Sequence, residues 1–201
     1  MNRVLAVALA ALAMHVAARA DGIDLINKFG TISISASGIK STGSQLGQFN
    51  AINNGHSLGS VMFSTGALLT GSIMTGGTFS DVGSMFTVIG KGNAGQPKGV
   101  IFDGAFVGPI VWTLVSQNGA SLVFQLSGQL SGTLFNGATV TGTTTQTFHT
   151  TTAQLAKGIA HITGGTTHLN SVPEPGTLGL LVTGLLGIAQ AARRKFAARQ
   201  T

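Results

Sequence analysis

Few residues in this chain could carry acid–base chemistry. The aspartates are Asp21, Asp24, Asp81 and Asp103, and no glutamate precedes Glu174. Glycosidic hydrolysis needs two carboxyl groups facing each other across the substrate. Only Asp81 and Asp103 lie well inside the chain, and a surface loop and a β-bulge are the plainer roles for them. Beyond the N-terminal stretch the histidines are His56, His149, His161 and His168. His161 and His168 stand seven positions apart across Gly164-Gly165, which is not a zinc-ligand spacing. Cysteine is absent, so there is no thiolate metal site, no thiol nucleophile and no disulfide framework. The Gly-rich stretches do not lead from a strand into a helix and so are not phosphate loops. The expectation is a protein without catalytic residues, metal or cofactor.

One pattern could bind. Thr139, Thr141, Thr143, Thr145 and Thr147 occupy alternate positions, which in a strand puts all five hydroxyls on one face. Such a row could order water or meet a polysaccharide. The plainer reading is the solvated outer face of an antiparallel sheet, where threonine is favoured for its β propensity. Carbohydrate platforms are usually built from exposed aromatic rings. This chain has no tyrosine, and its single tryptophan, Trp112, lies in the apolar run Val111–Val115 and reads as buried.

Strands must position these residues. Ile32, Ile34 and Ala36 alternate with Thr31, Ser33, Ser35 and Ser37, and Leu122, Phe124 and Leu126 with Ser121, Val123, Gln125 and Ser127, while Val100, Phe102 and Phe106 share one parity. Period-two alternation with β-branched and aromatic residues is the strand signal, and no helical period of similar length competes with it before the last thirty residues. Asn118-Gly119 and Asn136-Gly137 predict type I′ hairpin turns. Gly108-Pro109 and Gly128-Gln129 predict further strand ends, and Asp103-Gly104 a bulge. Leu58–Ser64, Ala67–Thr75 and Ser84–Lys91 are further strands, with Gly76-Gly77 as a loop. Residues 38–59 read as a long polar loop, and residues 153–162 as either a closing strand or a short helix. The fold class is all-β: an antiparallel β-sandwich, with an open barrel as the second choice.

The charge pattern separates this body from its ends. The formal net charge is +6. Within residues 21–171, however, five lysines face four aspartates, a net of +1, so the basic character belongs to the two ends and a nucleic-acid surface is disfavoured. Arg3, the apolar run Val4–Met14 and the small-x-small pattern Ala18-Arg19-Ala20 form an export signal, with signal peptidase cutting after Ala20. At the other end Pro173-Glu174-Pro175 precedes an apolar run from Leu178 to Ala192 and the basic stop Arg193-Arg194-Lys195. That run makes about 22 Å of helix, short of a hydrocarbon core of roughly 30 Å. Flanking residues or local thinning would cover the mismatch, and the basic cluster stays cytoplasmic.

This tripartite tail resembles the PEP-CTERM sorting domain. The resemblance implies transient residence in the inner membrane of a Gram-negative bacterium and processing by an exosortase. It further implies transfer to the cell surface or extracellular matrix, in a setting of exopolysaccharide production. The expected division is a signal peptide at 1–20, a β-rich ectodomain at 21–162, a linker at 163–171 and a sorting and anchor segment at 172–197. The body also looks similar to Gly/Ser/Thr-rich ectodomains borne by other proteins with this tail, which brings no functional residues with it. The expected function is a non-enzymatic surface protein, structural or adhesive within the extracellular polymeric matrix. A carbohydrate-binding module or glycan hydrolase acting on exopolysaccharide is the second reading.

Overall fold

A computed structural model describes residues 22–53 and 57–172, together with Gly184, Leu185 and Gly187. The expected export signal, with Ala18 and Ala20, and the sorting-motif residues Pro173, Glu174, Pro175, Arg193, Arg194 and Lys195 lie outside the described residues. Of the helix expected in the apolar tail, only Gly184, Leu185 and Gly187 are described, and they are helical. Among the described residues no helix is long and apolar enough to cross a membrane. Residues 22–171 form one compact unit.

That unit is all-β, and it closes on itself. Its strands are β1 (Ile23–Ser35), β2 (Gly38–Phe49), β3 (Gly59–Ser64), β4 (Leu68–Ser72), β5 (Gly76–Phe79), β6 (Met85–Lys91), β7 (Lys98–Asn118), β8 (Ser121–Leu134), β9 (Thr139–Thr151) and β10 (Ile159–Ser171). A short helix, α1 (Thr152–Ala156), joins β9 to β10. Eight strands pair in the ring β1-β2-β3-β6-β7-β8-β9-β10, with β10 returning to β1, every pair antiparallel. This is an up-and-down barrel, in which sequential neighbours pair and no edge of the ring is left open. The hairpin β4–β5 is an excursion between β3 and β6, docked on residues Ile110–Thr113 of β7.

The barrel replaces the expected sandwich because the strands are longer than the turn signals implied. Gly108-Pro109 does not end a strand. It lies inside the 21-residue β7, where the ladder to β8 shifts between Val107 and Val111. Proline brings no N–H, and it stands where the other edge of β7 changes partner from β6 to β5. Gly128-Gln129 likewise runs through the unbroken strand β8. Long strands bent by bulges can coil into a closed ring, whereas short flat ones stack. Residues 38–59, read as a loop, contain β2. Residues 163–171, read as a linker, are the body of β10 and close the ring between β9 and β1. Gly76-Gly77 is in β5. Residues 153–162 contain both a helix and the start of a strand.

Two finer expectations shift by a residue or two. Asp103 and Gly104 sit in regular ladder with Thr87 and Phe86, and the bulge falls just before them, between Val100 and Phe102. It turns Val100 outward while Ile101 and Phe102 both point in. Both Asn-Gly hairpins exist, with other turns. Asn118 pairs with Ser121, so Gly119 (φ 57) and Ala120 form the loop. A positive φ at the first central position alone is the type II′ pattern. At the second hairpin the Gly137 N–H donates to Leu134 O, and only Gly137 (φ 82) is left-handed.

The interior is packed with side chains, as an eight-stranded ring of this width permits. Phe63, Phe79, Phe86, Phe102, Trp112, Phe124 and Phe148 are fully buried. The Trp112 and Phe124 rings stack at 4.5 Å, and the Trp112 and Phe148 centroids are 5.2 Å apart. The Trp112 indole donates to Ile73 O in the β4–β5 turn at 3.0 Å, which pins the hairpin to the barrel. Leu122, Phe124 and Leu126 all point inward. Leu155 of α1 is buried as well, and α1 opens with a reciprocal capping box between Thr151 and Gln154.

Candidate functional site

The threonine row lies on β9, flanked by β8 on one side and β10 on the other. Val140, Thr144, Gln146, Phe148 and Thr150 point inward, so Thr139, Thr141, Thr143, Thr145 and Thr147 face out. Register decides their neighbours. Gln125, Ser127, Gln129, Ser131 and Thr133 of β8 stand opposite Thr147, Thr145, Thr143, Thr141 and Thr139. From β10, Thr166, His168 and Asn170 stand opposite Thr145, Thr143 and Thr141. Around the threonine row the outer wall of three adjacent strands is therefore a continuous field of hydroxyls and amides, with the imidazole of His168 among them. Barrels that span membranes carry apolar side chains outward and polar ones inward; here the apolar residues fill the interior.

A shallow depression of about 420 Å³ opens in this wall. Val107 supplies apolar surface, and Gln129, Ser131, Thr141, Thr143 and Asn170 supply polar groups. Beside it, His168 Nδ1 contacts Asp24 Oδ1 at 2.6 Å, with both side chains well exposed. An exposed pair of this kind adds less than about 1 kcal/mol.

The residues with catalytic potential are held apart or otherwise occupied. Asp81 Oδ2 accepts from Gly108 N at 2.7 Å, and Asp103 Oδ1 accepts from Thr87 Oγ1 at 3.0 Å. Each carboxylate thus secures a strand feature. His149 and His161 are opposite one another across β9 and β10 but lean to different partners, Ser121 Oγ at 2.9 Å and Thr31 Oγ1 at 3.4 Å. Among the described residues no three metal-ligating side chains cluster. His56 lies outside the described residues.

Three features escape the sequence reading. Gly55-His56-Ser57-Leu58-Gly59 has the Gly-x-Ser-x-Gly spacing of a nucleophile elbow, whose serine must sit on a turn between a strand and a helix. Ser57 instead precedes strand β3, and its Oγ donates to Gly59 O at 3.1 Å. The second feature is buried. Asn27 Nδ2 donates to Gln146 Oε1 at 2.8 Å and Gln146 Nε2 returns a bond to Asn27 Oδ1 at 3.1 Å. Asn27 also donates to Ser44 Oγ, and Gln146 to Thr144 Oγ1, which contacts Thr167 Oγ1 at 2.8 Å. The amide pair joins β1 to β9 over Gly165 of the intervening β10, and any Cβ on Gly165 would strike both amides. Among the described residues no buried side-chain polar atom lacks a partner.

The third feature is Phe29, 67% exposed with φ 53. It had a visible signal. Leu25 is buried at an odd position, and Ile32 and Ile34 at even ones. That change of parity within one strand demands an extra residue between them.

Residues 171–195 match the PEP-CTERM protein-sorting motif. No curated protein and no solved structure matches the chain. The match takes in Pro173, Glu174, Pro175 and the Arg193-Arg194-Lys195 stop, and it lies beyond the barrel, overlapping only the last residue of β10. The chain thus carries a PEP-CTERM sorting motif behind a closed antiparallel barrel, and it is an exported, surface-directed protein processed by an exosortase.

Proposed function

We propose that the barrel is a non-enzymatic structural or adhesive component of the extracellular polymeric matrix. The observation that supports this most is the outer wall of β8, β9 and β10, whose uncharged hydroxyl and amide groups suit hydrogen bonding to a hydrated polymer. The signal peptide brings the chain across the inner membrane of a Gram-negative cell, the apolar tail holds it there, and exosortase releases it to the surface. Exopolysaccharide is then the natural partner, and neither nucleic acid nor a cofactor takes part. Deleting the protein should weaken the cohesion of cell aggregates, and the wild-type chain should restore it. A chain with Pro173, Glu174 and Pro175 replaced by alanine should be exported without processing and should not restore it. Unchanged cohesion on deletion would overturn the matrix role. Mass spectrometry of surface-extracted protein should find Asp21 at the new N-terminus and no peptide from beyond the sorting motif.

A second reading, a carbohydrate-binding module, is favoured by the exposed rings of Phe29 and Phe135. Hydrolysis has less support, because Asp81 and Asp103 are each engaged in a local hydrogen bond.

A further inference from the structure

Phe29 carries two separate penalties. A bulky residue at positive φ is an outlier, and Phe29 occupies the left-handed position of a bulge that glycine ordinarily fills. Its ring is two-thirds exposed on the barrel wall, although the same barrel buries seven other aromatic rings completely. Residues held in sparsely populated backbone regions cluster where a site needs them.

The surroundings tell what this ring can meet. On one side the β1–β2 ladder shifts between Lys28 and Gly30. On the other, the β1–β10 ladder is paired at Asn27–Gly165 and again at Thr31–His161, with no pairs between, and β10 itself shifts register between Ile162 and Gly164. The wall is interrupted on both strands at the height of Phe29. Around the interruption stand Thr31, Thr42 and Thr163. Thr42 Oγ1 donates to Thr31 O at 3.0 Å, and Thr163 Oγ1 donates to Thr147 O at 3.2 Å. Each of these two hydroxyls spends its proton on the backbone and is left as an oriented acceptor. Thr163 also leads onto the threonine row, since its partner Thr147 is the last member of that row. The stem of Lys28 lies against Gly47 on β2, so the chain beside the ring is apolar until its tip.

We propose that Phe29 is the stacking platform of a glycan subsite, with a neutral sugar ring lying on its face and the sugar hydroxyls donating to the Thr42 and Thr163 side chains. The apolar face of a pyranose suits an aromatic ring, and its rim of hydroxyls suits uncharged acceptors. The strained bulge gives the ring its outward aim, because regular alternation would turn position 29 inward with Leu25 and Asn27. This inference rests on the matrix reading above and names a contact point for it.

The test uses the full-length chain in affinity electrophoresis through gels containing cellulosic glucan, soluble chitin or dextran. The wild type should be retarded by at least one of them. F29G and F29N both tolerate a left-handed backbone, and each should bind about tenfold more weakly. F29W should bind at least as well as the wild type. F29G should also melt no lower than the wild type, since it relieves the bulge and removes an exposed ring. Wild-type affinity in F29G and F29N would overturn the Phe29 subsite and leave the matrix reading standing. Absence of retardation of the wild type by all three polymers would overturn the neutral-glycan subsite, whereas unchanged cohesion on deletion would overturn the matrix reading. A melting temperature several degrees lower in F29G would assign the ring to packing and so overturn the subsite.

Discussion

Strand β9 carries the same residue types on its two faces to opposite effect. Thr143 and Thr144 are neighbours in the chain. Thr143 faces solvent beside Gln129 and His168, where water can satisfy its hydroxyl. Thr144 is 1% exposed and has its hydroxyl tied to Thr167 Oγ1, Thr166 O and Gln146 Nε2. An exposed polar group can exchange one partner for another at little cost, whereas a buried one loses its hydrogen bond outright. The outer face is therefore free to be shaped for binding. The inner face is constrained to a single arrangement, which fixes how β1, β9 and β10 register.

The comparison is broken most severely at Phe148, whose ring packs against Trp112 and Phe63. Phe148→Ala should destabilise the barrel by about 3–5 kcal/mol in chemical denaturation, the cost of emptying a buried aromatic site. Gln146→Ala comes next. It strips Asn27 Oδ1 of its bond inside the barrel, and about 2–3 kcal/mol should be lost. Combining it with Asn27→Ala should cost clearly less than the sum of the two single changes, because the second removes the group that the first stranded. Strict additivity would mean that the amide pair does not act as a unit.

Gly165→Ala probes the same site from the middle strand. Its Cβ would press on both amides, and a loss of about 1–3 kcal/mol is expected. A neutral result would show that the pair can move aside. The smallest effect belongs to Thr143→Ala, which should change stability by less than about 1 kcal/mol. A large loss there would erase the distinction between the faces and remove the outer wall as a binding surface.

Some of this was readable in advance, for local reasons. The inward set Leu122, Phe124 and Leu126 and the outward threonines follow from alternation alone, because a strand has a period of two wherever it lies. A glycine in this chain need not end a strand. Gly108, Gly128 and the Gly-rich stretch of β2 all lie inside strands. Such residues mark a bend or a close approach as readily as a reversal. Strands ended at each of them would be short, and short strands imply a sandwich. The polar stretch from Thr163 to Ser171 has the composition of a linker, yet Thr167 and Leu169 are 1% exposed. Its weak hydrophobicity hides a core strand, because part of what it buries is glycine and hydroxyl.

What the sequence determined by itself is the destination and the class. The Pro-Glu-Pro tail is a contiguous feature, and its match at residues 171–195 needs no fold to be seen. The β class likewise rests on a periodicity of two residues. Only the tertiary structure decided which strands meet. It closed β10 onto β1, brought Asn27 to Gln146 across 119 positions and placed Gln125 to Thr133 beside the threonine row. It also set Phe29 outward at a break in the wall. The physical reason is that ring closure satisfies backbone hydrogen bonds along every edge at once, a condition on the whole set of strands that no single segment expresses.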